Sequence, residues 1–134
     1  MRVFLSFDSE DERSAKEFAE RLSAAGFDVW NSAQELLPGD NWGLKVGKAL
    51  EESDAMIVLL SPQSVKSPWV RHEIEYAVGS RKYEGRVIPV MVRPTPDIPW
   101  VLRQFQVVRA DKERDEAARQ IVQKLRRATK LQVP

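Results

Sequence analysis

A tryptophan and a glutamate one helical turn apart, Trp69 and Glu73, are the residues of this sequence best placed to do chemistry. They follow a short apolar run over residues 55–60 that ends at Ser61-Pro62, a pattern typical of a buried strand. Pro68 suits a first helical turn, and residues four apart share one helix face. Because open α/β sheets bind ligands at the carboxyl ends of their strands, the pattern predicts a site there. Spacing alone leaves open a surface glutamate with a rim tryptophan.

Strands and helices alternate along the chain, and this alternation must position the pair. We predict four helices. The first begins at a capping box formed by Ser9 and Glu12, and the second follows a cap at Asp40. The third begins near Pro68 and the last at Asp111. Apolar segments predict five strands, at residues 2–7, 27–30, 55–60, 86–92 and 105–108. The order indicates a flavodoxin-like α/β fold, a five-stranded parallel sheet with helices on both faces.

Several local features refine this pattern. Gly26 is expected to end the first helix. Pro89 lacks a backbone donor, which predicts an edge-side position or a bulge within the fourth strand. A proline-rich loop with a turn around residues 100–102 replaces the helix expected between the fourth and fifth strands. The spacing also places Trp42 on one apolar helix face with Val46, Ala49 and Leu50.

Composition narrows the function classes. The 134 residues fit one domain, 1–134, and a formal net charge of +1 implies no nucleic-acid or membrane-surface partner. The chain has no cysteine, which removes thiolate and zinc–cysteine chemistry, and His72 is its one histidine, which argues against a histidine metal site. We expect a cytoplasmic protein without a metal, because residues 1–7 are too short for a signal peptide or membrane span.

The loops exclude the common phosphate-binding motifs. The chain has no Gly-x-x-x-x-Gly-Lys-Ser/Thr sequence, and the turn after the first strand, residues 8–12, is acidic rather than glycine-rich. A dinucleotide fingerprint or a flavodoxin phosphate loop needs close backbone approach to phosphate at that turn. The third strand ends in Leu60-Ser61 without the aspartate of a response-regulator receiver.

Three motifs together resemble the Toll/interleukin receptor (TIR) domain family. Residues 4–7, Phe-Leu-Ser-Phe, with Asp11 downstream, are similar to the first box of that family. Residues 37–40, Leu-Pro-Gly-Asp, with Trp42, are similar to the end of the loop after its second strand. Residues 57–61, followed by Ser67, Trp69 and Glu73, are similar to its third strand and catalytic helix. The resemblance covers nearly the whole chain.

The resemblance implies an enzyme that cleaves NAD at the nicotinamide–ribose bond, giving nicotinamide and ADP-ribose or a cyclic ADP-ribose, in bacterial immune or effector signalling. NAD is then the substrate, and no cofactor is expected. The members of this family that are enzymes carry a catalytic glutamate at the position of Glu73, with a tryptophan four residues before it, as Trp69 is here. Phe7 and Trp30 match the aromatic groups that stack on the base, although Trp30 is equally plausible as a core residue. The implied substrate-binding residues are Ser6, Phe7, Asp8, Trp30, Asn31 and Trp69.

The loop from Asn31 to Gly39 is the predicted self-association surface. It carries Leu36 and Leu37, which are exposed unless another element covers them, and it continues into Pro38 and Gly39. The resemblance implies that this loop contacts other TIR domains. The leucines could instead fold inward onto the second long helix. A non-catalytic TIR scaffold that signals by self-association is the alternative function.

Overall fold

The strand Ala55–Leu60 is buried along its whole length and lies at the centre of a five-stranded parallel sheet. A computed structural model describes residues 1–130, so residues 131–134 of the predicted domain lie outside the described residues. The strands are β1 (Arg2–Ser6), β2 (Asp28–Asn31), β3 (Ala55–Leu60), β4 (Val87–Met91) and β5 (Val108–Arg109). Their order in the sheet is β2-β1-β3-β4-β5, which confirms the predicted flavodoxin-like class.

Helices cover both faces of this sheet. The helices are α1 (Glu12–Ala24), α2 (Ser32–Glu35), α3 (Trp42–Glu52), α4 (Pro68–Val78) and α5 (Arg114–Lys130). On one face, α1 and α5 pack their apolar stripes, including Phe18 and Ile121, against β1, β3 and β4. On the other face, α3 and α4 pack residues such as Val46 and Ile74 against the same strands.

The helix starts show where the predicted caps were wrong. The capping box at Ser9 does not form, because Asp8 accepts from Glu10 N at 3.0 Å and caps a 3-10 turn that precedes α1. Helix α3 is capped by Asn41, whose Oδ1 accepts from Leu44 N at 3.1 Å, because Asp40 is engaged by Leu37 N and Lys45.

Two further boundaries differ from the prediction. Asp111 does not start α5, because Arg109 holds its carboxylate at 2.9 and 3.1 Å and the helix begins at Arg114. Residues 105–107 are not strand: β5 pairs with β4 only at Val90–Val108 and Met91–Arg109. Pro89 therefore lies in the part of β4 that β5 does not pair with, which explains how a residue without an N–H is accommodated.

Other local predictions are confirmed. Gly26 follows α1 with φ of 97°, a conformation that favours glycine. Pro68 is the first residue of α4, and Ser67 caps that helix by accepting from Val70 N at 3.3 Å. A short 3-10 turn at Trp100–Leu102 stands where the sequence predicts a turn between β4 and β5.

Candidate functional site

Glu73 is a buried carboxylate at the carboxyl edge of the sheet. Its residue is 5% exposed, and Ser6 Oγ donates a hydrogen bond of 2.7 Å to Glu73 Oε1. Ser6 is the last residue of β1, next to β3 in the sheet, and α4 begins just after the loop that follows β3. The alternative that Glu73 is a surface residue is therefore wrong. Helix α4 brings this carboxylate to the crevice where open α/β sheets bind ligands.

The electrostatics of Glu73 are those of an uncompensated buried acid. Burial raises the pKa of Glu73 to about 7, and the hydrogen bond from Ser6 lowers it in part. Among the side chains that the structure describes, Glu73 has no ion pair with a lysine, arginine or histidine. A buried carboxylate without a cationic partner is costly for a fold to keep, and such groups cluster at functional sites.

A cleft of about 380 Å³ lies at the same edge of the sheet. Phe7 and Asp8, which follow β1, line it, and so does Trp69, whose residue is 44% exposed. Glu73 is not part of the lining. It lies one helical turn after Trp69, and its carboxylate is hydrogen-bonded to Ser6, the residue before Phe7. The geometry thus brings Ser6, Phe7, Asp8, Trp69 and Glu73 into one region, and their roles in binding and catalysis stay predictions.

Trp30 and Asn31 lie outside the lining of this cleft. Trp30 is buried and stacks on Phe4 with ring centroids 5.0 Å apart and an interplanar angle of 14°, which is the core alternative for this residue. Asn31 is buried, and its Oδ1 accepts from Ala33 N at 2.9 Å. Its Nδ2 has no hydrogen-bond partner among the described residues. Binding of substrate by either residue stays a prediction.

The predicted self-association loop has one buried leucine and one exposed leucine. Leu36 is 9% exposed and packs in the core beside Trp30, so the expectation that it is exposed was wrong; α2 turns the chain so that Leu36 faces inward. Leu37 is 60% exposed, and Pro38 and Gly39 are exposed as well. Gly39 has φ of 90°, so this turn favours glycine.

A second buried carboxylate holds the loop that leads into α4. Asp11 accepts hydrogen bonds from Ser61 Oγ and from Arg93 Nη2, the latter at 2.6 Å. Ser61 N in turn donates to Ser64 Oγ at 2.9 Å. This network ties the turn after β1 to the ends of β3 and β4. Arg93 compensates the charge of Asp11, whereas Glu73 has no such partner.

Six residues that line the cleft were not among the predicted site residues: Ser9, Glu12, Ser32, Ala33, Trp42 and Ser67. Trp42 and Glu12 both line the cleft, and Trp42 is 54% exposed although its spacing groups it with the buried residues of α3. For Glu12 and Trp42, position is the signal that could have identified them: each is the first residue of a helix in the connection between two strands, where side chains can meet the carboxyl edge of the sheet.

Neither a metal cluster nor a membrane span is found in residues 1–130. No group of three or more histidine, cysteine, aspartate or glutamate side chains is arranged to hold a metal ion there. No helix in the same residues has the length and apolar character needed to cross a membrane.

The fold and the site define a flavodoxin-like α/β domain with a buried acid beside an aromatic cleft at its carboxyl edge. The chain belongs to the TIR domain family, whose model matches residues 3–126. The TIR domain of the Toll-related receptor TRR-2 from Hydra magnipapillata shares this fold with a TM-score of 0.76 at 19% identity, over 94% of this chain and 95% of that one.

Curated relatives with similar sequences are named as synthases. The 2' cyclic ADP-D-ribose synthase BtTIR of Bacteroides thetaiotaomicron is 33% identical over 97 residues, which cover 70% of this chain and 33% of BtTIR. The probable 2' cyclic ADP-D-ribose synthase TcpO of Methanobrevibacter olleyae is 28% identical over 90 residues, covering 66% of this chain and 26% of TcpO. The matches thus span about a third or less of these relatives.

Proposed function

We propose that this TIR domain cleaves NAD at the nicotinamide–ribose bond, with Glu73 as the catalytic carboxylate. The observation that carries the proposal is the burial of Glu73 without a cationic partner, beside a cleft with an exposed indole. Membership of the TIR family and similarity to relatives named 2' cyclic ADP-D-ribose synthases support it. NAD is the substrate, and the chemistry requires no resident cofactor or metal.

One carboxylate is sufficient for this reaction. When the bond between the ribose C1′ and the pyridinium nitrogen breaks, its electron pair goes to that nitrogen, and nicotinamide leaves as a neutral molecule without an acid. The ribose is left as an oxocarbenium ion, which a nearby negative charge stabilises. Ionised Glu73 supplies that charge or accepts a hydrogen bond from a ribose hydroxyl. Attack by water then gives ADP-ribose, and attack by a hydroxyl of the same molecule gives a cyclic product; either nucleophile releases one proton.

The test is nicotinamide release from NAD by concentrated wild-type protein and by Glu73→Gln, with identification of the sugar product by mass spectrometry. Glutamine keeps the shape and can still pair with Ser6, but it lacks the charge. Loss of one preorganised electrostatic partner predicts a fall of about 10²–10³-fold in kcat. Glu75→Gln is the matched control, because Glu75 is on the same helix and exposed, and it should keep the wild-type rate.

Equal rates for wild type and Glu73→Gln would remove Glu73 from the mechanism. Equal losses in Glu73→Gln and Glu75→Gln would assign the effect to helix charge rather than to the buried site. No release by the wild type, with or without self-association, would overturn the enzyme and favour the scaffold function.

We also propose that the loop containing Leu37, Pro38 and Gly39 contacts a second TIR domain. The 60% exposure of Leu37 supports this, because loops positioned by a rigid scaffold often carry binding residues. Leu37→Asp should leave the monomer folded and weaken self-association in sedimentation velocity.

Leu44→Asp provides the control for that experiment, since Leu44 is 71% exposed but lies on α3 outside the loop. A contact made by the loop predicts that Leu37→Asp dissociates the assembly more strongly than Leu44→Asp. Unchanged sedimentation of Leu37→Asp at high protein concentration would contradict the proposal.

A further inference from the structure

Trp42 is an exposed indole on the wall of the cleft. It is the first residue of α3, and the Asn41 cap, with Oδ1 accepting from Leu44 N at 3.1 Å, fixes where that helix begins. Val46 and Leu50, which follow on the same apolar face of α3, are buried. Trp42 is instead 54% exposed and lines the cleft with Trp69. Two exposed indoles on one cleft of about 380 Å³ provide flat apolar surface for more than one aromatic ring.

The walls of this cleft differ in charge. Asp8 and Glu12, from the turn after β1 and the start of α1, line it on the side of the sheet that α1 covers. Trp42 lines it from α3, which packs on the opposite face of the sheet. The cleft therefore has an acidic wall and an aromatic wall that belong to different layers of the fold.

A dinucleotide with one cationic ring has two different ends that could match these two walls. The nicotinamide ring of NAD carries a positive charge, whereas its adenine is neutral and its pyrophosphate is negative. Carboxylates attract the pyridinium ring and repel the phosphates. Glu73 belongs to α4, in the same layer as α3, but its hydrogen-bond partner Ser6 is only two residues before Asp8, so the bond to be broken lies near the acidic wall.

We infer that NAD binds in one orientation, with its nicotinamide end against Asp8 and Glu12 and its adenine stacked on Trp42. This inference rests on the proposed function for its substrate. It assigns Trp42 as the residue that distinguishes a dinucleotide from a mononucleotide, because nicotinamide mononucleotide has no adenine to stack. Trp69, one turn before Glu73, contacts both substrates.

The test compares Trp42→Ala with wild type on two substrates, NAD and nicotinamide mononucleotide, following nicotinamide release. Base stacking on an aromatic side chain predicts a rise of about 5- to 100-fold in KM for NAD. The kinetics with nicotinamide mononucleotide should not change, and Trp42→Phe should keep most of the affinity for NAD. Trp100→Ala is the matched control, because Trp100 is 77% exposed and lies outside this cleft.

The acidic wall is tested with a variant that should affect binding of the nicotinamide end and spare binding of the adenine end. The double variant Asp8→Asn with Glu12→Gln should weaken binding of nicotinamide mononucleotide and leave the binding of AMP unchanged or tighter. Circular dichroism and sedimentation of each variant check that fold and self-association are retained. A Trp42→Ala variant that loses both substrates equally, or neither, would overturn the assignment.

Binding of ADP-ribose and AMP by calorimetry separates this inference from the proposed function. If the wild type releases no nicotinamide but Trp42→Ala loses ADP-ribose binding, the adenine platform stands and the catalytic proposal fails. If the wild type cleaves NAD and Trp42→Ala behaves identically, the catalytic proposal stands and the platform fails. A wild-type protein that neither cleaves NAD nor binds ADP-ribose would overturn both.

Discussion

The two flanks of helix α4 present nearly the same groups in different surroundings. On one flank, Trp69 lines the cleft of about 380 Å³ and Glu73 follows one turn later. On the other, Glu75 lines a second cleft, of about 400 Å³, together with Arg71 and the exposed Trp100. Each flank therefore has a carboxylate, an indole and a cleft of comparable size.

Burial and partners distinguish the two flanks. Glu73 is 5% exposed and paired only with a serine hydroxyl, whereas Glu75 is exposed and shares its cleft with the cationic side chain of Arg71. A carboxylate in water or beside a cation is already stabilised and gains little from a cationic transition state. The better candidate for catalysis is therefore the flank with the buried, uncompensated acid, although its cleft is slightly smaller.

The largest expected difference between the flanks is in stability. The raised pKa of Glu73, about 7 against an ordinary 4.5, means that the folded protein holds a proton that the unfolded chain loses. Stability from this group is complete below about pH 4.5 and is lost as pH rises through about 7, by on the order of 3 kcal/mol. Urea unfolding of Glu73→Gln should show a smaller loss over this interval than wild type. Glu75→Gln should retain the wild-type slope; identical slopes in all three proteins would contradict the buried charge.

The rate of the proposed NAD cleavage should also depend on the protonation of Glu73, but it should rise with pH where the stability falls. If ionised Glu73 is the active form, kcat/KM rises with pH to a plateau above about 7, and at about pH 5 it is lower by roughly 100-fold. The measurement is initial nicotinamide release against pH at low NAD concentration. A flat profile between these values, in protein shown to remain folded, would separate Glu73 from the rate-limiting chemistry.

A smaller effect is expected from Ser6→Ala. The hydrogen bond from Ser6 favours the ionised form of Glu73, so its loss should raise the pKa of Glu73 further and move the midpoint of the pH–rate profile upward. Activity near neutral pH then falls a few-fold and recovers at higher pH. Ser53→Ala is the matched control, because Ser53 is also fully buried but donates to Ala49 O at the far end of α3. A rate loss that alkaline pH does not restore would point to a different role for Ser6.

Much of the fold could be predicted because the relevant signals are local. The unbroken apolar run of β3, the Pro68 helix start and the turn at Gly26 each follow from a few neighbouring residues. The spacing of Trp69 and Glu73 placed them on α4, and the motifs identified Glu73 as the acid to examine. These features need no knowledge of how distant segments pack.

The rest depended on contacts between segments far apart in the sequence. Leu36 and Leu37 are adjacent and chemically alike, yet only the packing of α2 against the core decides which one is buried. Trp42 has the helical spacing of a core residue but lies beyond the end of the packed interface. Likewise, the buried state of Glu73 arises where α4 meets β1, 67 positions earlier.

The shortness of β5 has a consequence for how copies of this domain can assemble. The outer strands β2 and β5 have four and two residues. Short edge strands provide few free backbone groups for another chain to pair with, and natural sheets use them to resist edge-to-edge growth. Copies of this domain are therefore expected to meet through side chains of loops and helices, which dissociate and re-form more readily than a shared sheet. The self-association proposed for the loop of Leu37 would use contacts of this kind.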